Sequence, residues 1–148
     1  MSSQPLSISV QGQFSAAHFY RNGEWSDEKN RAIFGLCFSD YGHGHDYQIE
    51  LTVVSEKANW QAAHGKAKDV VRRLCQAWDH QHLNFKVPEF GPQGLIPTME
   101  NLATVLLKKI KTEAPDLNLI GVKLAERPDL WIELKVQDTQ QPKHQNTP

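Results

Sequence analysis

The chemistry this 148-residue chain could perform is concentrated in three histidines and a cysteine: His18, Cys37, His43 and His45. His43 and His45 stand two apart in Gly42-His43-Gly44-His45, and side chains two apart on a strand leave the same face. The pair can therefore offer two imidazoles to one cation. A third ring is available in His18. It ends the run Ile8, Val10, Gly12, Phe14, Ala16, His18, apolar or small at even positions, while Ser7, Ser9, Gln11, Gln13 and Ser15 occupy odd ones. After His45, Tyr47, Ile49, Leu51 and Val53 continue the ligand face, and Gln48, Glu50 and Thr52 point away. Two antiparallel neighbours would bring the three rings together. Three neutral imidazoles at about 2.0–2.1 Å from Zn²⁺, with a fourth position open, form the catalytic type of zinc site. Plainer readings stand beside this one. A histidine on an apolar face is usually a hydrogen-bonded core residue, and an H-x-H pair can fall in a loop by accident. Cys37 could also close the site as a fourth ligand, because one Cys with three His is a structural zinc set.

Composition narrows the partners. Lys and Arg number 16 against 17 Asp and Glu, a net charge of −1 with the signs interspersed, so there is no basic footprint for nucleic acid or an anionic membrane surface. Met1 to Leu6 lacks a basic region followed by an apolar stretch, and no apolar run approaches a membrane span. The expectation is a cytoplasmic protein with no nucleic-acid or membrane partner. The length suits one domain, over residues 1–137, with a polar, proline-containing tail over 138–148 expected to be disordered. In a reducing compartment Cys37 and Cys75 read as separate thiols. Cys75 falls on a helical stripe with Val70, Val71, Leu74 and Trp78 and is expected as a small core residue. Cys37 follows Phe34 and Gly35 in a loop ahead of the histidine pair, the position of a thiolate beside a cation.

These groups need a scaffold, and the periodicities supply one. A strand over about Ser7–Phe19 is followed by a long polar loop, Arg21–Gly42, and a second strand over about His45–Val54. A helix ends near Trp78, entered somewhere between Lys57 and Ala63, with His64 and Gly65 as interruptions of its first turns. Pro88, Gly91, Pro92 and Gly94 predict irregular chain from Asp79 to Leu95. Thr98 is the N-cap of a second helix with Met99, Leu102, Ala103, Leu106 and Ile110 on its buried stripe, closed by Pro115. The remainder reads as a hairpin: Ile120, Val122, Leu124 and Glu126 inward, a turn at Arg127–Asp129, then Leu130, Ile132, Leu134 and Val136. The order is ββααββ, an α+β fold with a four-stranded antiparallel sheet and two helices on one face. Open sheet edges make oligomerisation plausible.

Phe14-Ser15-Ala16-Ala17-His18, Phe34-Gly35-x-Cys37, Gly42-His43-Gly44-His45-x-Tyr47, Asp79-His80-x-x-Leu83-Asn84, Pro97-Thr98-x-Glu100-Asn101 and the late-strand Glu126 come in this order over residues 7 to 136. In order and separation they resemble the 6-pyruvoyltetrahydropterin synthase and 6-carboxytetrahydropterin synthase family. The resemblance implies the tunnelling fold, a ββααββ unit assembling into a trimer and usually a hexamer. It also implies Zn²⁺ on His18, His43 and His45, Cys37 as catalytic base, and Asp79 with His80 as a coupled proton-transfer pair. Glu126 matches the carboxylate that anchors the pterin, and Thr98 and Glu100 are expected to assist in binding it.

The residue types suit those roles. A carboxylate can accept the adjacent N–H donors of a pterin's guanidine-like edge in bidentate fashion. Read from the residues alone, Glu126 could instead pair with Arg127 or a lysine, Asp79-His80 could be a helix-terminal pair, and Glu100 could simply stabilise its helix's first turn. Two features depart from the family: Ser55–Lys68 is short, and Arg127 follows Glu126 where a threonine is usual. Both border the expected pterin pocket. Five residues separate Cys37 from His43, as in the pyruvoyl branch, where the carboxy branch has three. The expected reaction is therefore 7,8-dihydroneopterin triphosphate to 6-pyruvoyltetrahydropterin and triphosphate. The alternatives are the carboxy synthase of queuosine and deazapurine biosynthesis and a non-catalytic pterin-binding or structural zinc protein.

Overall fold

A computed structural model describes residues 4–136 of the chain. The tail expected from 138 onward lies outside the described residues. In chain order the elements are β1 (Leu6–His18), α1 (Asp27–Phe34), β2 (His43–Ser55), α2 (Trp60–Trp78), β3 (Gln81–His82), α3 (Leu83–Lys86), α4 (Met99–Glu113), β4 (Leu119–Arg127) and β5 (Leu130–Lys135). The sheet order is β3-β1-β2-β4-β5. No helix among the described residues is long and apolar enough to cross a membrane.

Alternation builds the two central strands. Val10, Phe14, Ala16 and His18 of β1 and Tyr47, Ile49, Leu51 and Val53 of β2 are buried, and the serines and glutamines between them face out. The helical stripes cover that inner face. Val70, Val71, Leu74, Cys75 and Trp78 of α2 and Leu102, Ala103, Leu106 and Ile110 of α4 join the strand residues in one core. Gly65 does not interrupt α2; it faces open space. Thr98 caps α4 by accepting from the Asn101 N–H.

The expected four-stranded antiparallel sheet with two helices needs correcting to five strands and four α-helices. The loop from Arg21 to Gly42 contains α1, capped by Ser26 with Asp27 and Glu28 in its first turn. Its only buried residue is Asn30, so it lacks the apolar stripe that marks a helix. The segment expected to be irregular after Asp79 contains β3 and α3, and β3 runs parallel to β1, pairing Ala16 with Gln81 and Ala17 with His82. Such a short strand exists only through that tertiary pairing. In β4, Ile120 is exposed and Leu119 takes its place in the core. The register passes from Thr52↔Gly121 to Val53↔Leu119, so Ile120 is the extra residue of a bulge.

Helix α2 crosses β1 closest at Gly12. A Cβ there would lie 2.5 Å from Val71 Cγ1 and 2.8 Å from Cys75 Sγ. Replacing a strand glycine by alanine ordinarily stabilises by about 0.4–1 kcal/mol through the unfolded chain, but overpacking a stiff neighbour costs about 1–3 kcal/mol. The second effect wins, and Gly12→Ala should lower the urea midpoint without changing the slope of the transition.

Candidate metal centre and catalytic site

The strand register assembles the three rings. His18 lies directly opposite His43, Ala16 opposite His45 and Phe14 opposite Tyr47. Directly paired residues bring their Cβ atoms to about 4.5–5.5 Å, close enough for imidazole tips to converge. One nitrogen from each of His18, His43 and His45 lies within 4.8 Å of the other two. His18 Nε2 and His43 Nε2 are 3.3 Å apart, close to the edge of about 3.3–3.4 Å that two nitrogens span on a tetrahedral zinc.

His18 is fully buried, and its Nδ1 sits 2.9 Å from the buried Tyr47 hydroxyl. That partner would leave Nε2 free for a cation, the kind of outer-shell support that metal-bound histidines generally have. Tyr47 is itself fixed, its ring stacked on Phe14 at 5.0 Å, with Phe14 meeting Trp78 edge-on. Burial, then the neighbouring His45, His43 and His82, lower the His18 pKa to about 3, so the ring stays neutral and its lone pair free. Burial also lowers the pKa of His45, with Glu126 opposing. His45 Nε2 is a buried nitrogen that no hydrogen bond among the described residues satisfies, although Glu126 Oε1 lies 2.9 Å away. An orphaned ring nitrogen beside two others fits a bound cation.

The turn entering β2 is equally constrained. Gly42 has φ +80°, and a Cβ there would fall 2.2 Å from the His18 carbonyl oxygen. The loop ahead of it is tied at three points: Tyr20 N–H donates to Cys37 O at 2.7 Å, Gly42 N–H to Ser39 Oγ at 2.9 Å, and His82 Nε2–H to Tyr41 O at 2.9 Å. Cys37 thereby comes to 3.9 Å from His43 Nε2, outside the mutually close set of three donors. Burial and the Glu126 carboxylate push its thiol up.

Glu126 reaches the site through a second bulge. Ala125 pairs with Trp131 and Arg127 with Leu130, which leaves Glu126 as the extra residue, and bulges re-aim side chains. Its partner is His45, not a basic residue; Arg127 turns to Asp129 at 3.3 Å. Glu100 is exposed on the first turn of α4, and its charge is felt at Tyr20 together with those of Glu126 and Cys37. Thr98 has a capping job, its Oγ1 accepting from Asn101 N–H.

Asp79 and His80 form a pair, but no hydrogen bond or ion pair among the described residues joins them to Cys37 or the three rings. Asp79 Oδ1 accepts from Ser15 N–H at 2.8 Å and Oδ2 lies 2.8 Å from His80 Nδ1; the Ser15 N–H first and His80 second hold its carboxyl below the usual range. His80 is mostly exposed, at φ +59°, and lines an open groove of about 500 Å³ that also holds Ala17, Gly44, His45 and Asp46.

Residues to which the sequence reading gave no role complete the frame. Asn84 exchanges two bonds with Phe19, Oδ1 accepting from its N–H at 2.9 Å and Nδ2 donating to its carbonyl at 3.0 Å. Asn30, fully buried, ties Asn22, Trp25 and Ser26 to α1. Tyr20 packs its ring on His18 at 4.9 Å; alternation carried one step past His18 would have found it.

The family model described as 6-pyruvoyl tetrahydropterin synthase matches residues 7–137. The 6-pyruvoyl tetrahydrobiopterin synthase of Homo sapiens is 30% identical over 123 residues, covering 80% of this chain and 83% of its own. That of Drosophila melanogaster is 27% identical over 144 residues, covering 94% and 78%. Among solved structures, the Caenorhabditis elegans 6-pyruvoyl tetrahydropterin synthase shares the fold with a TM-score of 0.76 at 24% identity, over 93% of this chain and 99% of that one.

Two outcomes follow from the donor set. Tyr47→Phe should leave the fold intact and weaken metal binding about 10- to 100-fold, the usual cost of losing an outer-shell partner, measured by competition with a chelating dye. In the metal-free protein, His18 is kept neutral by the fold but takes a proton in the unfolded chain below its ordinary pKa of 6.5. The unfolded state then binds more protons, so His18 costs stability as pH falls from 6.5 towards 3, at up to about 1.4 kcal/mol per pH unit. Urea melts of the metal-free protein between pH 7 and 4 should show that slope, and His18→Asn should reduce it.

Proposed function

The chain belongs to the 6-pyruvoyl tetrahydropterin synthase family of lyases, and from that premise and the site's geometry we propose that it is a zinc-dependent enzyme. Its reaction converts 7,8-dihydroneopterin triphosphate to 6-pyruvoyltetrahydropterin and triphosphate. The observation that carries this reading is one donor set with two flanking groups: three histidine nitrogens within 4.8 Å of one another, Cys37 at 3.9 Å from one and Glu126 at 2.9 Å from another.

The reaction must remove a proton from carbon beside a hydroxyl or carbonyl, which needs a base and a counter-charge for the oxyanion that develops. His18, His43 and His45 would hold Zn²⁺, which when bound supplies that counter-charge as a Lewis acid. Of the two groups that flank the histidines, Cys37 is the base, because its thiol is the one that a nearby cation converts to a proton-accepting thiolate, while Glu126 is engaged by the pterin. Positive charge near a thiol lowers its pKa, opposing the burial and Glu126 charge that raise it. Glu126 accepts the guanidine-like N–H edge of the pterin, with Glu100 and Thr98 at the start of α4 as further contacts.

Asp79 orients His80 by accepting from Nδ1, which leaves Nε2 exposed for proton exchange. No hydrogen bond among the described residues links that nitrogen to Cys37, and we infer that it meets the Cys37 thiol of a second copy packed against this face. The sheet edge supports such packing: β3 covers β1 only at Ala16 and Ala17, and the edge from Ser7 to Gln13 has no strand partner among the described residues. A trimer or hexamer in the cytoplasm, acting on a small pterin without nucleic acid or membrane, completes the proposal.

The five-residue Cys37–His43 spacing favours the pyruvoyl product over the carboxy one, because the tied loop fixes where the thiol stands. An anaerobic reaction followed by mass spectrometry should yield triphosphate and 6-pyruvoyltetrahydropterin. Cys37→Ala should retain zinc and lose about 10²- to 10⁴-fold in turnover. Formation of 6-carboxytetrahydropterin with acetaldehyde would move the chain to the other branch. Loss of zinc from Cys37→Ala, with no turnover by the unaltered protein, would mean a structural metal site.

A further inference from the structure

Tyr20 is a polar side chain of the site to which the metal, the proton chemistry and the recognition of the pterin ring assign no part. It follows His18 at the end of β1, and its backbone N–H donates to Cys37 O at 2.7 Å. Its ring is clamped between His18, at 4.9 Å, and Phe34, at 5.7 Å, and Phe34 is stacked on Trp25. The residue is half-buried, and its hydroxyl is neither hydrogen-bonded among the described residues nor one of their sealed polar atoms, so it stays free to meet a molecule entering from solvent.

The neighbours narrow what such a molecule could offer it. Glu126 and Glu100 are acceptors when ionised, and Cys37 is a weak donor that becomes an acceptor as the base. The Tyr47 hydroxyl is committed to His18 Nδ1. We propose that Tyr20 is a substrate-contacting residue whose hydroxyl donates a hydrogen bond to an oxygen of the substrate's side chain. This rests on the reading of the site as a pterin lyase and goes beyond it. The pterin ring presents an N–H edge that matches the carboxylates, so an O–H donor against the His18 ring is complementary to the hydroxyl or carbonyl oxygens of the side chain.

Tyr20→Phe keeps the ring and removes only the hydroxyl. Fluorescence titrations of the zinc-loaded protein would use two probes: pterin, which lacks the side chain, and 7,8-dihydroneopterin, which carries it. The variant should bind pterin as the unaltered protein does and 7,8-dihydroneopterin about five- to tenfold more weakly, the loss expected for one hydrogen bond. Equal affinity for both probes, or an equal loss for both, overturns the assignment to the side chain. If Tyr20→Phe loses its zinc, Tyr20→Leu repeats the comparison with the same expected split. Failure of the unaltered protein to bind either probe overturns the pterin reading and this inference with it, whereas normal binding with no split overturns this inference alone.

Discussion

The register of β1 on β2 is the constraint on which the rest depends. Thirteen residue pairs run without a break from Leu6↔Ser55 to His18↔His43. Because side chains alternate, slipping this pairing by one residue would move His18 off the inner face and set it across from a glycine or a solvent-facing position. The same slip would expose Val10, Phe14 and Ala16. The candidate metal donors and the hydrophobic core are thus specified by one pattern, and the burial of apolar side chains that holds the sheet to α2 and α4 also holds three ring nitrogens in place. Gly12 and Gly42 mark the two places where this arrangement leaves no room for a Cβ: one where α2 presses on β1, the other where the turn into β2 crosses the His18 carbonyl.

At the His18 end the core thins and polar groups take over. Asp79 and His80 bond to Ser15, β3 pairs with Ala16 and Ala17, Asn84 brackets Phe19, and His82 takes the Tyr41 carbonyl. One segment, residues 79–84, therefore lies along the last turn of β1 and reaches the loop that carries Cys37. Such bonds are worth about 0.5–1.5 kcal/mol each, modest beside apolar burial, but they are directional. Their contribution is position, at the end of the sheet where position decides chemistry.

What the sequence made legible follows from the same physics. Long alternating or helical patterns reveal which face is buried, so the three histidines, Tyr47 and the stripes of α2 and α4 could be read directly. Helix α1 could not, because it is held by the amide of Asn30 and a Ser26 cap instead of an apolar stripe. Strand β3 could not, because two residues carry no period and its pairing with β1 is set by the return of the chain after α2. Parity also fails at a bulge. Ile120 was expected in the core and is exposed, since one added residue shifts everything on one side of it. Roles that depend on a neighbour in space rather than in sequence, such as His82 on Tyr41 O, have no local signature at all.

The two kinds of site residue come from two kinds of backbone. The donors that would hold a cation, His18, His43 and His45, sit on regular strand, where their separation is fixed by the ladder itself. The groups that would meet the substrate sit where the ladder stops: Glu126 in a bulge, Cys37 at the end of a 3₁₀ turn, Tyr20 just past the end of β1, Glu100 on the first turn of α4. A cation demands distances correct to a fraction of an ångström, which a continuous ladder supplies. An organic substrate needs side chains aimed from several directions, which a flat row of alternating residues cannot supply, so bulges and strand ends do. Changes of substrate within this fold should therefore be sought in the loop between Cys37 and His43 and around Glu126, while the strand register beneath them stays the same.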